Sequence, residues 1–164
     1  MKTMILNFKQ PYRKTFFINP KYGIPLRDIR KDFSLKSTYF SCYDNPKVKE
    51  LSQLVKESKS IIIASPIYMY DLNAAAKNFM ELTGRAWTKK IVGFICAAGG
   101  KGSYMSVTSY MNSLMLDFRC IVIPRFVYTD GSGFDENYNI KSNIKERIKE
   151  LVDQTTLLSS KIED

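Results

Sequence analysis

Two short loops hold the residue types in this 164-residue chain that are best suited to chemistry. Ser65 to Asp71 (SPIYMYD) presents Pro66, Ile67, Tyr68, Met69 and Tyr70, a flat and polarisable surface. Ala98 to Ser103 (AGGKGS) presents Ala98, Gly99, Gly100, Lys101, Gly102 and Ser103. Glycine backbone can approach a planar ring closely and offer it N–H groups. A planar, electron-accepting heterocycle fits between two such loops. The plainer readings are a tight turn for the glycines and core or interface packing for Tyr68 and Tyr70. As a phosphate cradle the glycine run is weak, since it matches neither GxxxxGK[ST] nor GxGxxG.

Other chemistries are bounded by what the chain lacks. It has no histidine. That removes Ser-His-Asp and Cys-His triads and argues against a zinc site. The cysteines, Cys42, Cys96 and Cys120, are odd in number and without metal spacing. They read as reduced thiols of a cytoplasmic protein, two of them inside strands. No apolar run approaches the ~20 residues of a membrane span, and Met1 to Lys9 has no signal-peptide core. Net charge is +9. Nearly all of the excess falls within Met1 to Ser60, as a Lys-rich solvated face or a contact for an anionic partner. No recognition-helix or RNP pattern supports nucleic acid.

The elements that must position the two loops alternate. Asp44 or Asn45 caps a helix with Pro46 in its first turn and Val48, Leu51, Leu54 and Val55 along one stripe. Ile61 to Ser65 is a strand buried on both faces, stopped by Pro66. Asp71 or Asn73 caps a helix over Ala74 to Leu82 that ends at Gly84. Trp87 covers a core edge. Lys90 to Ala97 is a second buried strand. Ser103 caps the next helix, with Val107, Met111, Leu114, Met115 and Phe118 at a 3.6-residue period. Cys120 to Ile123 is a short third strand stopped by Pro124, which Phe126 to Tyr128 extends after a kink. Asp130 to Tyr138 is a turn-rich loop. Ile140, Ile144, Ile148, Leu151 and Val152 mark a final helix, and the last dozen residues fray. This order implies an α/β domain with a parallel sheet and helices on both faces. In such sheets ligands bind at the carboxyl ends of the strands.

Residues 1–40 are less regular. Met4 to Leu6 and Thr15 to Ile18 both read as short strands. They stand too close in sequence to be consecutive parallel strands, which need a crossover of a dozen or more residues.

The segment SPIYMYDLNAAAKNFMEL resembles SPEYNGSIPGALKNAIDWL of the NADPH-dependent FMN reductases, a flavodoxin-like family. Ser65, Pro66, Tyr68, Ala75, Lys77 and Asn78 fall on matching positions. Ala98-Gly99-Gly100 and MLDFRCIVIP (Met115 to Pro124) sit where the family has its glycine loop and its next helix-to-strand step. Lys21 to Asp28 (KYGIPLRD) faintly resembles the stretch after the family's second strand. The resemblance covers roughly Asn45 to Asp153. It implies one flavodoxin-like domain over 1–164, a three-layer parallel sheet with a recognisable βα core at 45–153 and an atypical N-terminal region at 1–40. It further implies FMN as cofactor, held by Pro66 to Tyr70 and Ala98 to Ser103, and hydride transfer from NAD(P)H to a small-molecule electron acceptor. A cytoplasmic homodimer or homotetramer is implied as well, with the aromatics of Tyr39 to Tyr43 and Tyr104 to Tyr110 as contact candidates.

The departures define an alternative. The family's GSxRxxS phosphate loop has no counterpart in residues 1–40, so its first strand, loop and helix are reduced or replaced. Met4 to Phe8 is one candidate replacement strand, and Lys9, Arg13 and Lys14 are candidate phosphate contacts by charge. Ile67 and Met69 stand where the family has an acid and an Asn, which makes the ring contacts more apolar. The alternative is a non-catalytic flavodoxin-like module that has lost FMN and acts by dimerisation or partner binding.

Overall fold

The computed structural model describes residues 3–7, 26–28 and 43–162. Within them a parallel sheet runs in the order β2 (Leu26–Asp28), β1 (Thr3–Asn7), β3 (Ser60–Tyr68), β5 (Ile91–Ala97), β6 (Ile121–Val122). A two-residue strand β4 (Asp71–Leu72) pairs antiparallel with β3, and β7 (Val127–Thr129) pairs parallel with β5. Outward from β1 the order reverses on either side, which is the doubly-wound, flavodoxin-like arrangement.

Strict alternation in the two central strands explains the layers. Ile61, Ile63, Val92, Phe94 and Cys96 face one core with α1 (Pro46–Glu57), α2 (Ala74–Thr83) and α3 (Thr108–Phe118). Ile62, Ala64, Ile91 and Ile95 face a second core with α4 (Ser142–Lys161). All of these strand side chains are essentially inaccessible to solvent. The continuous β-branched run is what a two-faced parallel strand requires. Gly93 lets α4 lie close, because a Cβ there would stand 3.1 Å from Leu151 Cδ1.

The helix caps follow local chemistry. Asn45 Oδ1 accepts the Lys47 N–H at 2.8 Å, with Pro46 at the first position of α1. Asn73 Oδ1 accepts the Ala76 N–H at 2.9 Å, and α2 closes at Gly84 with φ +45°. Trp87 lies in a short 3-10 turn, Gly84–Trp87, and is fully buried. Its Nε1–H donates to Thr83 Oγ1 at 2.7 Å, and its ring meets Phe79 edge-on at 5.8 Å.

Several sequence expectations need correction. Pro66 does not stop β3; it pairs with Ala97, and the strand continues to Tyr68. Among the described residues the β1 ladder runs to Ala64, and Pro66 lies beyond that last pair, where its missing N–H disturbs little. Ser103 is no helix cap: it lies inside a 3-10 segment, Lys101–Val107, ahead of α3. The buried stripe that leads into and along α3 is Val107, Tyr110 and Leu114, with Met115 exposed. Tyr110 is not an interface residue, since its hydroxyl donates to the Ala76 carbonyl oxygen at 2.9 Å in the core. The C-terminal helix does not fray after Val152 but runs to Lys161. Thr155 and Ser159 are buried there, their hydroxyls donating to the Leu151 and Thr155 carbonyls at 2.6 and 2.7 Å.

At the N-terminus, β1 is central, flanked by β2 and β3. Thr3–Asn7 thus supplies an interior strand of the sheet. Leu26–Asp28, within the Lys21 to Asp28 segment, is a strand that pairs parallel with β1. Thr15 to Ile18 and Cys42 lie outside the described residues.

The last strand is split. Ile91 pairs with Ile121, but Ile95 pairs with Val127, so the offset grows from 30 to 32. Two extra residues bulge out around Pro124. Arg147 of α4 donates to the Phe126 and Tyr128 carbonyls at 3.1 and 3.3 Å.

Candidate functional site

β3 and β5 are neighbours in register, Pro66 opposite Ala97, so both predicted loops leave the sheet at one edge. Between them opens a cleft of about 440 Å³ lined by Ile67, Met69, Tyr70, Gly99, Gly100, Gly102 and Ser103. Pro66, Tyr68, Ala98 and Lys101 belong to the same two loops but do not line it. Ser65 Oγ–H donates to the Pro66 carbonyl oxygen at 2.9 Å, buried behind the first wall.

The first wall is a two-residue hairpin turn. Tyr68 pairs with Asp71 across it, and Met69 and Tyr70 both have positive φ, 51° and 59°. Consecutive positive φ values define the type I′ class, which favours Asn-Gly because L side chains crowd the backbone there. A left-handed non-Gly residue costs roughly 1–2 kcal/mol. The other non-Gly residues with positive φ sit in turns that their own N–H groups tie back: Lys89 to Phe118, Arg119 to the end of α3, Tyr138 to Asp135. Met69 and Tyr70 stand at the tip, 95% and 73% exposed. Asp71 Oδ1 steadies the hairpin, accepting the Leu72 N–H at 2.7 Å and the Ser109 hydroxyl at 3.0 Å.

The second wall is the glycine loop. A Cβ at Gly99, Gly100 or Gly102 would meet nothing within 4 Å, so the space above the backbone is open. Among the described residues the N–H groups of Gly99 and Gly100 have no acceptor. A bare backbone with free donors beside a cleft suits the heteroatom edge of a planar ring. Among the described residues no charged side chain lines the cleft.

The loop is held from the last strand, by residues the sequence reading did not single out. The Ala98 N–H donates to the Thr129 carbonyl at 2.9 Å, and the Tyr128 hydroxyl donates to the Gly100 carbonyl. Tyr104 stacks on Phe126 at 4.8 Å and meets Tyr128 edge-on at 5.4 Å. Beyond Thr129, Asp130 accepts from the Ser132 hydroxyl and N–H, which hold its carboxyl below the usual range, helped by the Lys101 charge. The available signal was topological: the last strand ends at the same sheet edge as β5.

Cys96 is buried in β5 and Cys120 just before β6, where its thiol donates to the Trp87 carbonyl at 3.1 Å. Burial pushes these thiols up to about 12 and about 11. Neither reaches the cleft. Among the described residues no group of three or more His, Cys, Asp or Glu could hold a metal, and no helix is long and apolar enough to cross a membrane.

Comparison with known proteins adds the lineage. Residues 18–135 match the sequence model of the NADPH-dependent FMN reductases. An Arabidopsis thaliana NADPH:quinone oxidoreductase is 29% identical over 136 residues, covering 78% of this chain and 67% of that protein. A Pseudomonas putida FMN reductase (NADPH) is 31% identical over 81 residues, 49% of this chain and 41% of that protein. Among solved structures, an apo NADH:FMN oxidoreductase superposes with TM-score 0.70 at 12% identity, covering 96% of this chain and 90% of that one. FerB from Paracoccus denitrificans, a flavoenzyme NAD(P)H:(acceptor) oxidoreductase, gives 0.65 at 11%, covering 98% and 96%. The structural likeness bears on fold and the sequence match on descent: the chain belongs to the NADPH-dependent FMN reductase family.

Proposed function

We propose that this protein is an FMN-dependent NAD(P)H oxidoreductase acting on a small-molecule electron acceptor. The observation that carries the reading is the open cleft between the Met69–Tyr70 turn and the Gly99–Ser103 loop, in a chain of this family. Pro66 to Tyr70 would form one wall of the flavin site and Ala98 to Ser103 the other. Gly99 and Gly100 would donate backbone N–H groups to the ring's heteroatom edge, and Ile67 would keep water from it. FMN, when bound, supplies the redox chemistry, taking two electrons from the reduced nicotinamide and releasing them to the acceptor. In sum NAD(P)H, a proton and the oxidised acceptor become NAD(P)+ and the two-electron-reduced acceptor. The protein's part is orientation and exclusion of water, which needs no histidine. The whole chain would act as one domain in the cytoplasm, as a homodimer or homotetramer. Lys9, Arg13 and Lys14, the phosphate candidates, lie outside the described residues.

The test is direct. Purified protein should carry flavin absorbance or acquire it on adding FMN, with quenching of FMN fluorescence at a one-to-one ratio. Absence of both would end the reading and leave the cofactor-free module.

A further inference from the structure

The edge of the sheet opposite the cleft carries a charge pattern that flavin binding does not use. β3, β5 and β6 all begin there, and α1, α2 and α3 all end there. Residues 56–59, 85–90 and 117–121 make the joins. They hold six basic residues, Lys56, Lys59, Arg85, Lys89, Lys90 and Arg119, against two acids, Glu57 and Asp117. Hydrogen bonds draw the three segments together. The Lys89 N–H donates to the Phe118 carbonyl at 2.8 Å, the Ile91 N–H to the Lys59 carbonyl at 3.3 Å and the Ile121 N–H to the Lys90 carbonyl at 2.9 Å. Lys90 Nζ donates to the Lys56 carbonyl at 2.8 Å. Among the described residues Lys56, Arg85, Lys89 and Arg119 make no ion pair, and all four are exposed.

Helix dipoles favour a cation at each C-terminus. They do not require the Lys89–Arg119 pair. Both residues have left-handed backbone, φ 60° and 55°, where glycine would stand without strain. The Lys89–Phe118 bond sets them side by side, like charge against like. Apolar side chains flank the pair. Leu116, one turn before Arg119 and so its neighbour on the helix face, is 79% exposed, and Ile121 on the edge strand is 45% exposed. Cations beside protruding aliphatic side chains suit a surface that is anionic outside and apolar beneath, which is an anionic bilayer. The exposed aromatics among the described residues, Tyr43, Tyr70, Tyr104 and Tyr138, lie outside these segments, so nucleic-acid bases would find no stacking platform. We propose that this edge is a docking surface for an anionic lipid bilayer, with Lys89 and Arg119 in the headgroup layer and Leu116 and Ile121 reaching the acyl boundary. Such contact is peripheral and needs no spanning helix. It leaves the cleft, at the far edge, open to solvent.

The test is sedimentation of the purified full chain with vesicles of phosphatidylcholine alone or with about a third phosphatidylserine. At about 0.1 M salt the protein should pellet with the mixed vesicles and not with phosphatidylcholine, and raising the salt to about 0.5 M should release most of it. Lys89→Gly/Arg119→Gly removes both charges where glycine suits the backbone. It should melt no lower than wild type, while its vesicle affinity falls roughly 10- to 30-fold. Lys145→Gln/Lys149→Gln removes the same charge from the exposed face of α4 and should bind as wild type does. Leu116→Gln keeps every charge and should lose about fivefold. No binding to the mixed vesicles, equal losses in the two double variants, or undiminished affinity in Lys89→Gly/Arg119→Gly would each overturn the proposal. A duplex oligonucleotide bound in place of vesicles would overturn it in favour of nucleic acid. FMN uptake is read separately, so the docking surface and the flavin site stand or fall apart.

Discussion

The Tyr128 hydroxyl donates to the carbonyl oxygen of Gly100, joining the end of β7 to the middle of the glycine loop. Three glycines would otherwise leave that loop with few fixed dihedrals. Tyr128→Phe keeps the ring contact with Tyr104 and removes only the hydroxyl. One neutral hydrogen bond contributes about 0.5–1.5 kcal/mol. FMN affinity, read by fluorescence titration, should fall roughly 3- to 10-fold, with a small drop in melting temperature. Unchanged affinity would mean that the loop holds its shape without Tyr128.

Trp87 and Thr83 form a buried donor–acceptor pair at 2.7 Å. Thr83→Val keeps the shape and deletes the acceptor, leaving the indole N–H unsatisfied in the core. The expected loss is about 1–3 kcal/mol in urea unfolding. Thr83→Ser, which retains the hydroxyl, should recover most of it.

Arg147 serves the open side of the last strand, donating to the carbonyls of Phe126 and Tyr128. Arg147→Met keeps the aliphatic packing and removes both charge-assisted bonds, each of which contributes about 1.5–3 kcal/mol at most. The variant should be destabilised by about 1–3 kcal/mol. Because Tyr128 sits on that strand, FMN binding should weaken with it; wild-type affinity would separate the strand from the loop.

The buried thiols predict behaviour at alkaline pH. Cys96 and Cys120 are raised from 9.0 to about 12 and about 11 by burial. Above pH 9 the unfolded chain gives up these protons while the folded one keeps them, so unfolding releases protons. Stability is therefore full below pH 9 and falls as pH rises through the interval up to about 11 for Cys120 and about 12 for Cys96. Urea midpoints measured from pH 8 to pH 10.5 should decline, and Cys96→Ala should flatten the decline. A slope unchanged in that variant would exclude the thiol as its source.

Patterns set by neighbours in sequence were legible, and those set by neighbours in space were not. The Asn45 and Asn73 caps, the turn at Gly84 and the two-faced strands at Ile61 and Ile91 each follow from a few adjacent residues. The reach of β3 past Pro66 was hidden, because it depends on pairing with β5 at Ala97 and with β4 at Leu72 and Asp71. The end of α4 was hidden because Thr155 and Ser159 read as polar yet satisfy their hydroxyls on their own helix. At the candidate site the two loops singled out from the sequence leave the sheet at one edge and border one cleft. The turn conformation was not, since Met-Tyr carries no turn signal, and neither was Tyr128, whose partner is 28 residues away.

The bulge around Pro124 adds two residues, an even number, and this parity has a consequence. Val122 and Tyr128 remain on the α1–α3 side, and Ile123 and Val127 on the α4 side. A single-residue deletion or insertion between Val122 and Val127 would invert β7, turning Tyr128 toward α4 and Val127 toward the glycine loop. Length variation in that segment is therefore quantised: changes in steps of two preserve the cleft, and odd steps dismantle it.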